Sequence, residues 1–376
     1  VGCNVVAANF LAAGKKEELN RTVHTTIVLS VIGGILLTLI GVTFSRQILI
    51  LMASPADVLP LSTLYLKVFF GGITATIVYN FGAALLRAKG DTKRPLYILL
   101  VAGLINVVLN LIFVICFNMD VAGVAFATVL SQVFAAICVI FILTREEDEF
   151  HLDFKKLRLD KVILSRIIKI GLPAGFQGML FSFSNMVIQS SVNSFGAVMV
   201  AGNSAAQSIE GFVYISMNSF AQGTLTFAGQ NMGAQKFDRI KRLVVISELS
   251  VIGVGLVLGF TALFFGRQLL GIYSESLDVV EAGMLRLNVI LFTYFTCGMM
   301  DCMASAIRGV GHSVMPMIVT LVGACGLRMV YIFTFFQIPR FHTFQSIFYS
   351  YPLSWGVTFI FLTASFAWIM KKISAD

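Results

Sequence analysis

The chain has 376 residues, of which 57% are hydrophobic and only 12% charged, with a formal net charge of +8. Its mean hydropathy is +0.89. Soluble domains carry about a quarter charged residues, so a soluble enzyme, a disordered scaffold and a secreted disulfide protein are excluded. The basic surplus forms no long patch and lies between apolar stretches. That excludes a nucleic-acid partner and fits the cytoplasmic charge bias of a polytopic protein in a lipid bilayer.

A spanning helix needs about 20 mostly apolar residues. Val1 to Leu11 reads as the tail of one helix. Ten complete spans follow near 22–43, 62–86, 95–117, 121–143, 164–194, 198–228, 243–265, 280–307, 314–337 and 346–370. Most basic residues fall in alternate connections: Lys15, Lys16 and Arg21; Arg87, Lys89, Lys93 and Arg94; the run from Arg145 to Lys169; Lys236 to Arg242; Arg308; Lys371 and Lys372. The intervening connections hold only Arg46, Arg267 and Arg340. The crowded side is predicted to be cytoplasmic, C-terminus included, in a plasma (inner) membrane. The most polar connection divides the chain into an N-lobe over 1–145, a solvated cytoplasmic linker over 146–163 and a C-lobe over 164–376. A surface amphipathic helix is the alternative for the linker. Cys3, Cys116, Cys138, Cys297, Cys302 and Cys325 show no CxxC spacing and no companion His, and read as buried small side chains without a metal or disulfide.

The lobes repeat one another. A shift that places Phe44, Arg46 and Gln47 on Phe265, Arg267 and Gln268 also pairs Asp57-Val58 with Asp278-Val279, Arg87 with Arg308, Gly90 with Gly311 and Pro95 with Pro316. A shift two residues shorter sets the loop at Gly14 on that at Gly233. Both loops lie on the cytoplasmic side, so the repeats are parallel, related by an axis along the membrane normal. The expected architecture is an all-α protein of two parallel six-helix bundles. The first helix and most of the second are expected to precede Val1.

Four motifs now make the chain recognisable. Leu86-Arg87-Ala88-Lys89-Gly90-Asp91-Thr92-Lys93-Arg94-Pro95 resembles the "LRGxGDTxxP" segment of multidrug and toxic compound extrusion (MATE) transporters. Ile307-Arg308-Gly309-Val310-Gly311 through Pro316 resembles its second-lobe copy. Gly229-Gln230-Asn231-Met232-Gly233-Ala234 is similar to a "GQNxGA" signature after the eighth helix, and Ile170-Gly171-Leu172-Pro173 to the "GxP" that opens the seventh. Physically, the glycines permit tight turns and the prolines begin helices. Arg87 and Arg308 read as fold markers at the cytoplasmic rim.

Acids within spans are costly and are functional suspects. Asn203, Gln207, Glu210 and Tyr214 form one helical polar stripe, and Ser182, Asn185, Gln189 and Asn193 another. The two stripes are expected to line a water-filled cavity. The family resemblance implies cation or proton coupling at Glu210 and Asp301. Arg328, in the following predicted span, is a candidate partner of Asp301. It also implies, in some members, a coupling acid on the first helix. Asn80, the repeat partner of Asp301, joins Asn185, Gln189, Asn203, Gln207 and Tyr214 as candidate cavity or substrate residues. Glu248 reads as a rim residue near Lys241 and Arg242.

The resemblance implies a monomeric antiporter that exports small organic, often cationic, compounds in exchange for H+ or Na+, without another cofactor. A flippase for lipid-linked saccharides is the alternative. It calls for several cavity arginines, whereas the predicted in-membrane arginines are few, Arg286 and Arg328. No HExxH, GxSxG, aspartate-rich or P-loop motif supports an enzyme or direct use of ATP.

Overall fold

The computed structural model describes residues 1–51 and 58–373. Asp57, one member of a repeat pair, lies outside them. Among the described residues the regular structure is helical: α1 Gly2–Ala12, α2 Lys16–Leu51, α3 Leu59–Gly71, α4 Ile73–Lys89, α5 Lys93–Leu111, α6 Asp120–Arg145, α7 Lys161–Asn193, α8 Ala197–Gly233, α9 Phe237–Phe264, α10 Gly266–Tyr273, α11 Leu277–Thr293, α12 Phe295–Gly309, α13 Val314–Thr320, α14 Leu327–Phe333 and α15 Phe344–Ile373.

Helices occupy all ten predicted stretches, yet among the described residues length and apolar content qualify only six as spans, or eight if the bent pairs α3–α4 and α11–α12 each count once. α7 and α8 are long enough but too polar to qualify on that basis. The outward faces are those of a protein solvated by lipid. On α5 only Pro95, Ile98 and Ala102 are buried, while Leu96, Leu100, Leu104, Val107, Val108 and Leu111 are exposed. In water such a face would associate; in a bilayer it is the expected surface.

The chain forms two compact units, Gly2–Ile168 and Lys169–Asp376. Each contains the same kind of bent helix pair. α3 meets α4 at 45° and α11 meets α12 at 48°. α4 closes on Gly90 at φ +98°, with the Gly90 N–H donating to Arg87 O (2.9 Å) and the Asp91 N–H to Leu86 O (3.0 Å). α12 closes alike: Gly311 has φ +93°, its N–H donates to Arg308 O (2.9 Å), and the His312 N–H donates to Ile307 O (3.1 Å). The left-handed residue with its paired bonds caps both helices and favours glycine.

Three motif placements differ from expectation. Gly14, at φ +68°, corresponds in conformation to Gln235 at φ +56° rather than to Gly233. The shift that carries Arg87 onto Arg308 also carries Gly14 onto Gln235, so one register covers both loops; the shorter shift followed glycine identity instead of backbone shape. Gly229 to Gly233 form the last turn of α8, and Pro173 lies inside α7. Cys116 is exposed and Cys138 half-buried, so not every cysteine is buried.

The 146–163 segment is not a loosely solvated linker. Phe150 and Leu152 are buried in the first unit, and among the described residues its helical content is the single turn Phe154–Lys156 before α7 begins. The Asn20 amide donates to the Glu149 and His151 carbonyls at 3.2 Å, and Lys16 pairs with Glu149 at 2.6 Å. Buried His24 donates from Nδ1 to Asn20 O (2.8 Å) and accepts the Asp153 N–H on Nε2 (3.1 Å). These two partners fix its neutral tautomer. Apolar anchors and backbone bonds turn a charge-rich stretch into a strap.

Candidate functional site

α8 is the spine of the second unit, and glycines set how closely it approaches its neighbours. A Cβ on Gly202 would lie 2.7 Å from Ala282 Cβ of α11, and one on Gly309 of α12 would lie 2.6 Å from Ala228 Cβ of α8. Close crossings at both places bring the polar side chains of α8 within reach of α11 and α12.

Those side chains line a cavity of about 640 Å³ within the second unit. α7 contributes Gln177, Phe181 and Asn185; α8 contributes Gln207, Glu210, Tyr214, Asn218 and Gln222. The opposite wall holds Arg286, Asp301, Arg308, Arg328, Tyr351 and Trp355. The α8 set recurs every three or four residues, so one stripe of a straight helix supplies it.

Glu210 and Arg286 form a buried, two-pronged ion pair. Arg286 Nε and Nη2 each donate to a Glu210 carboxylate oxygen at 2.7 Å, and Nη1 donates to Asn203 Oδ1 at 2.8 Å. Both charged residues are only 4% exposed, so neither charge is offset by bulk water. The Asn203 amide continues to Gln189 (3.0 Å), whose amide reaches Asn193 (2.9 Å). The guanidinium also lies 5.0 Å from the Phe348 ring centre.

Asp301 has a different environment. Tyr214 donates its hydroxyl to Asp301 Oδ2 at 3.2 Å, and Asn218 donates to that hydroxyl at 3.3 Å. Among the described residues no cationic side chain lies within ion-pair distance of Asp301. Arg328, its candidate partner from the sequence, instead donates from Nε to Ser354 at 2.9 Å. Its guanidinium lies 4.3 Å from the Tyr351 ring centre and 5.5 Å from that of Trp355. Arg308 is more than a rim marker: its side chain lines the cavity and donates from Nη2 to Gln177 Oε1.

The other sequence candidates scatter. Asn185, Gln207 and Tyr214 line the cavity. Gln189 and Asn203 stand behind it in the amide chain of Arg286. Asn80 belongs to the first unit, is exposed, and donates to Thr76 O of its own helix (2.9 Å). Glu248 is not at a rim: it is 8% exposed, and neither carboxylate oxygen has a hydrogen-bond partner. It sits on the buried face of α9, which packs against α8 and α12, because the face is set by helical phase and not by distance from Lys241. Sequence reasoning missed the cavity roles of Gln177, Asn218, Gln222, Arg308, Tyr351 and Trp355. Asn218 and Gln222 were accessible as the continuation of the α8 stripe.

Comparison with known proteins agrees with this architecture. The MatE family model matches residues 1–112 and 173–334. The probable multidrug resistance protein YoeA of Bacillus subtilis is 23% identical over 99% of this chain and 81% of its own length. The probable multidrug resistance protein YpnP of the same organism is 30% identical over 77% of this chain; the match spans 64% of YpnP, somewhat under two thirds. Among solved structures, an outward-facing multidrug resistance MATE family transporter of the MOP superfamily superposes with a TM-score of 0.90 at 18% identity, covering 100% of this chain and 83% of that one. The chain is a multi-pass membrane protein that belongs to the MATE family, whose members are transporters and not enzymes.

Proposed function

We propose that the protein is a multidrug efflux antiporter that exports small organic, often cationic, compounds in exchange for H+ or Na+ by alternating access. It acts as a monomer in the plasma (inner) membrane with a cytoplasmic C-terminus, and needs no cofactor beyond the coupling ion. The observation that carries this reading is Asp301: a carboxylate on a cavity wall, held by one neutral donor and, among the described residues, with no cationic side chain at ion-pair distance. An exchanger needs one acid whose proton or sodium occupancy shifts the balance between outward- and inward-facing states. Loading and release at Asp301 would follow the cavity's access to water on each side. Glu210 is less suited to that task, because protonating it would strand the buried charge of Arg286. We assign it to holding Arg286 in place.

The test uses the full-length protein in everted membrane vesicles, with a fluorescent organic cation and an imposed proton or sodium gradient. Asp301→Asn is expected to abolish gradient-driven uptake at normal expression, and the gradient that drives the wild type names the ion. Unaltered uptake in Asp301→Asn would move coupling elsewhere. A second reading, a flippase for lipid-linked saccharides, gains support from the arginines: three of them, Arg286, Arg308 and Arg328, line the cavity. The absence of cation transport under either gradient would favour it.

A further inference from the structure

Glu248 is an acid that the cavity does not use. It lies near the middle of α9, and both of its carboxylate oxygens are closed off from solvent without a hydrogen-bond partner. On the same helix Val245, Ile246 and Leu249 are exposed, as a lipid-facing surface requires. Glu248 points the other way, into the packing of α9 on α8 and α12. Cys302 of α12 lies within electrostatic range of it, and the Cys302 thiol is hydrogen-bonded to Thr224 of α8. Cys302 and Thr224 are both buried, and neither they nor Glu248 line the cavity. Asp301 and Cys302 are consecutive, so α12 turns one residue to the cavity and the next toward Glu248.

The charged residues of the helices packed against α9 are engaged elsewhere. Glu210 of α8 is clamped by Arg286 of α11. Asp301 and Arg308 of α12 line the cavity. Arg267 of α10 pairs with Glu281 of α11 at 3.0 Å, and Asp278 belongs to the first turn of α11. On α9 itself Lys241 pairs with Asp238 at 3.5 Å, while Arg239 and Arg242 lie on the first turns, toward the cytoplasmic end. Among the described residues no cationic group lies within ion-pair distance of Glu248. A carboxylate withdrawn from water with neither a donor nor a cation is so costly that taking up a proton is the usual outcome, and an acid inside a span is a functional suspect. We infer that Glu248 is a proton-binding site separate from the cavity: its carboxyl holds a proton while α9 is closed on α8 and α12, and gives it up when these helices part and admit water. The packing behind the wall that bears Asp301 then depends on that proton. The site goes beyond the proposed coupling at Asp301 and stands or falls independently of it.

The test is equilibrium unfolding of the full-length protein in mixed detergent micelles, wild type against Glu248→Gln, which keeps the shape of the acid without its charge. The folded protein retains the proton, whereas the unfolded chain releases it above about pH 4.3. Through this group, therefore, only the wild type loses stability as pH rises. From about pH 5 to about 7, its unfolding equilibrium constant relative to that of the variant is expected to rise about tenfold per pH unit. A ratio that stays level across that range would mean that Glu248 is ionised in the folded protein, and overturns the site. Infrared spectra decide the matter if Glu248→Gln fails to fold. At neutral pH, Asp301→Asn is expected to keep the carbonyl stretch of a protonated carboxyl, shifted in D2O, and its absence overturns the site. A level ratio together with loss of gradient-driven uptake in Asp301→Asn would remove this site and leave the antiport reading. A rising ratio with unaltered uptake in Asp301→Asn would do the reverse.

Discussion

The two bent helix pairs share a backbone and differ in charge. α3–α4 and α11–α12 break by 45° and 48°, and both close on Arg-x-x-Gly with the glycine left-handed. In the register that joins them, Tyr65 stands where the second pair has Arg286, and Asn80 where it has Asp301. Beyond these pairs, Val107 stands where the second unit has Arg328. The repeat therefore transmits bend and cap, but not these charged side chains. Exchanging residues between the copies tests that division.

The largest effect is expected at Arg286. Arg286→Tyr, the residue of the first copy, leaves Glu210 buried without its partner. Loss of one member of a buried pair costs about 3–5 kcal/mol. Thermal unfolding of the purified variant should show this, and adding Glu210→Gln should recover a large share of the loss. Equal stability of the single and double variants would show that the pair is not a unit. Next in size is Gly309, whose counterpart in the first unit is Ala88. Ala88 is accommodated there, fully buried, but a methyl at 309 would meet Ala228 Cβ at 2.6 Å. Gly309→Ala is expected to cost about 1–3 kcal/mol, read by the same unfolding assay, and Ala88→Gly far less than a collision.

A chemical exchange follows. Asn80→Asp puts an acid at the equivalent of Asp301, but among the described residues Asn80 bonds only to its own helix and has no donor pair like Tyr214 and Asn218. It is expected not to restore gradient-driven uptake to Asp301→Asn in vesicles. Restoration would mean that position within the repeat suffices for coupling and that the local donors do not matter.

The sequence carries the fold further than the site, for a physical reason. Span positions follow from runs of apolar residues, and the repeat from Arg, Gly and Pro at helix ends, where the backbone constrains identity. Partner choice inside a bundle depends on helix phase and crossing, which composition does not encode. Glu210 and Asp301 look alike in sequence, yet one is clamped by Arg286 and the other accepts a hydrogen bond from Tyr214. Arg308 looks like a rim residue and reaches the cavity because α12 lies so close to α8 at Gly309. The strap was read as solvated from its charges, although Phe150 and Leu152 anchor it from within.

That strap is also where the first unit has a feature of its own, and it yields the smallest predicted effect. The hydrogen bond from Lys16 holds the Glu149 carboxyl below its ordinary value. At Asp148 burial pushes the opposite way, but the bond and charge of Lys89 and the Phe150 N–H outweigh it, so that carboxyl is lowered too. A carboxyl lowered on folding adds stability that is fully present above its unfolded value, about 3.9 for Asp and 4.3 for Glu, and is lost as pH falls through the folded value. Protection of the strap amides should therefore be constant from neutral pH to about 5 and decline below about 4. Hydrogen exchange of 146–156, corrected for intrinsic rates, measures this, with the loop at Gln235 in the second unit as internal reference. Lys16→Gln should move the Glu149 share of the decline upward in pH. Protection that stays level down to pH 3 would assign the attachment of the strap to Phe150, Leu152 and the His24 and Asn20 bonds alone, with the acids contributing nothing.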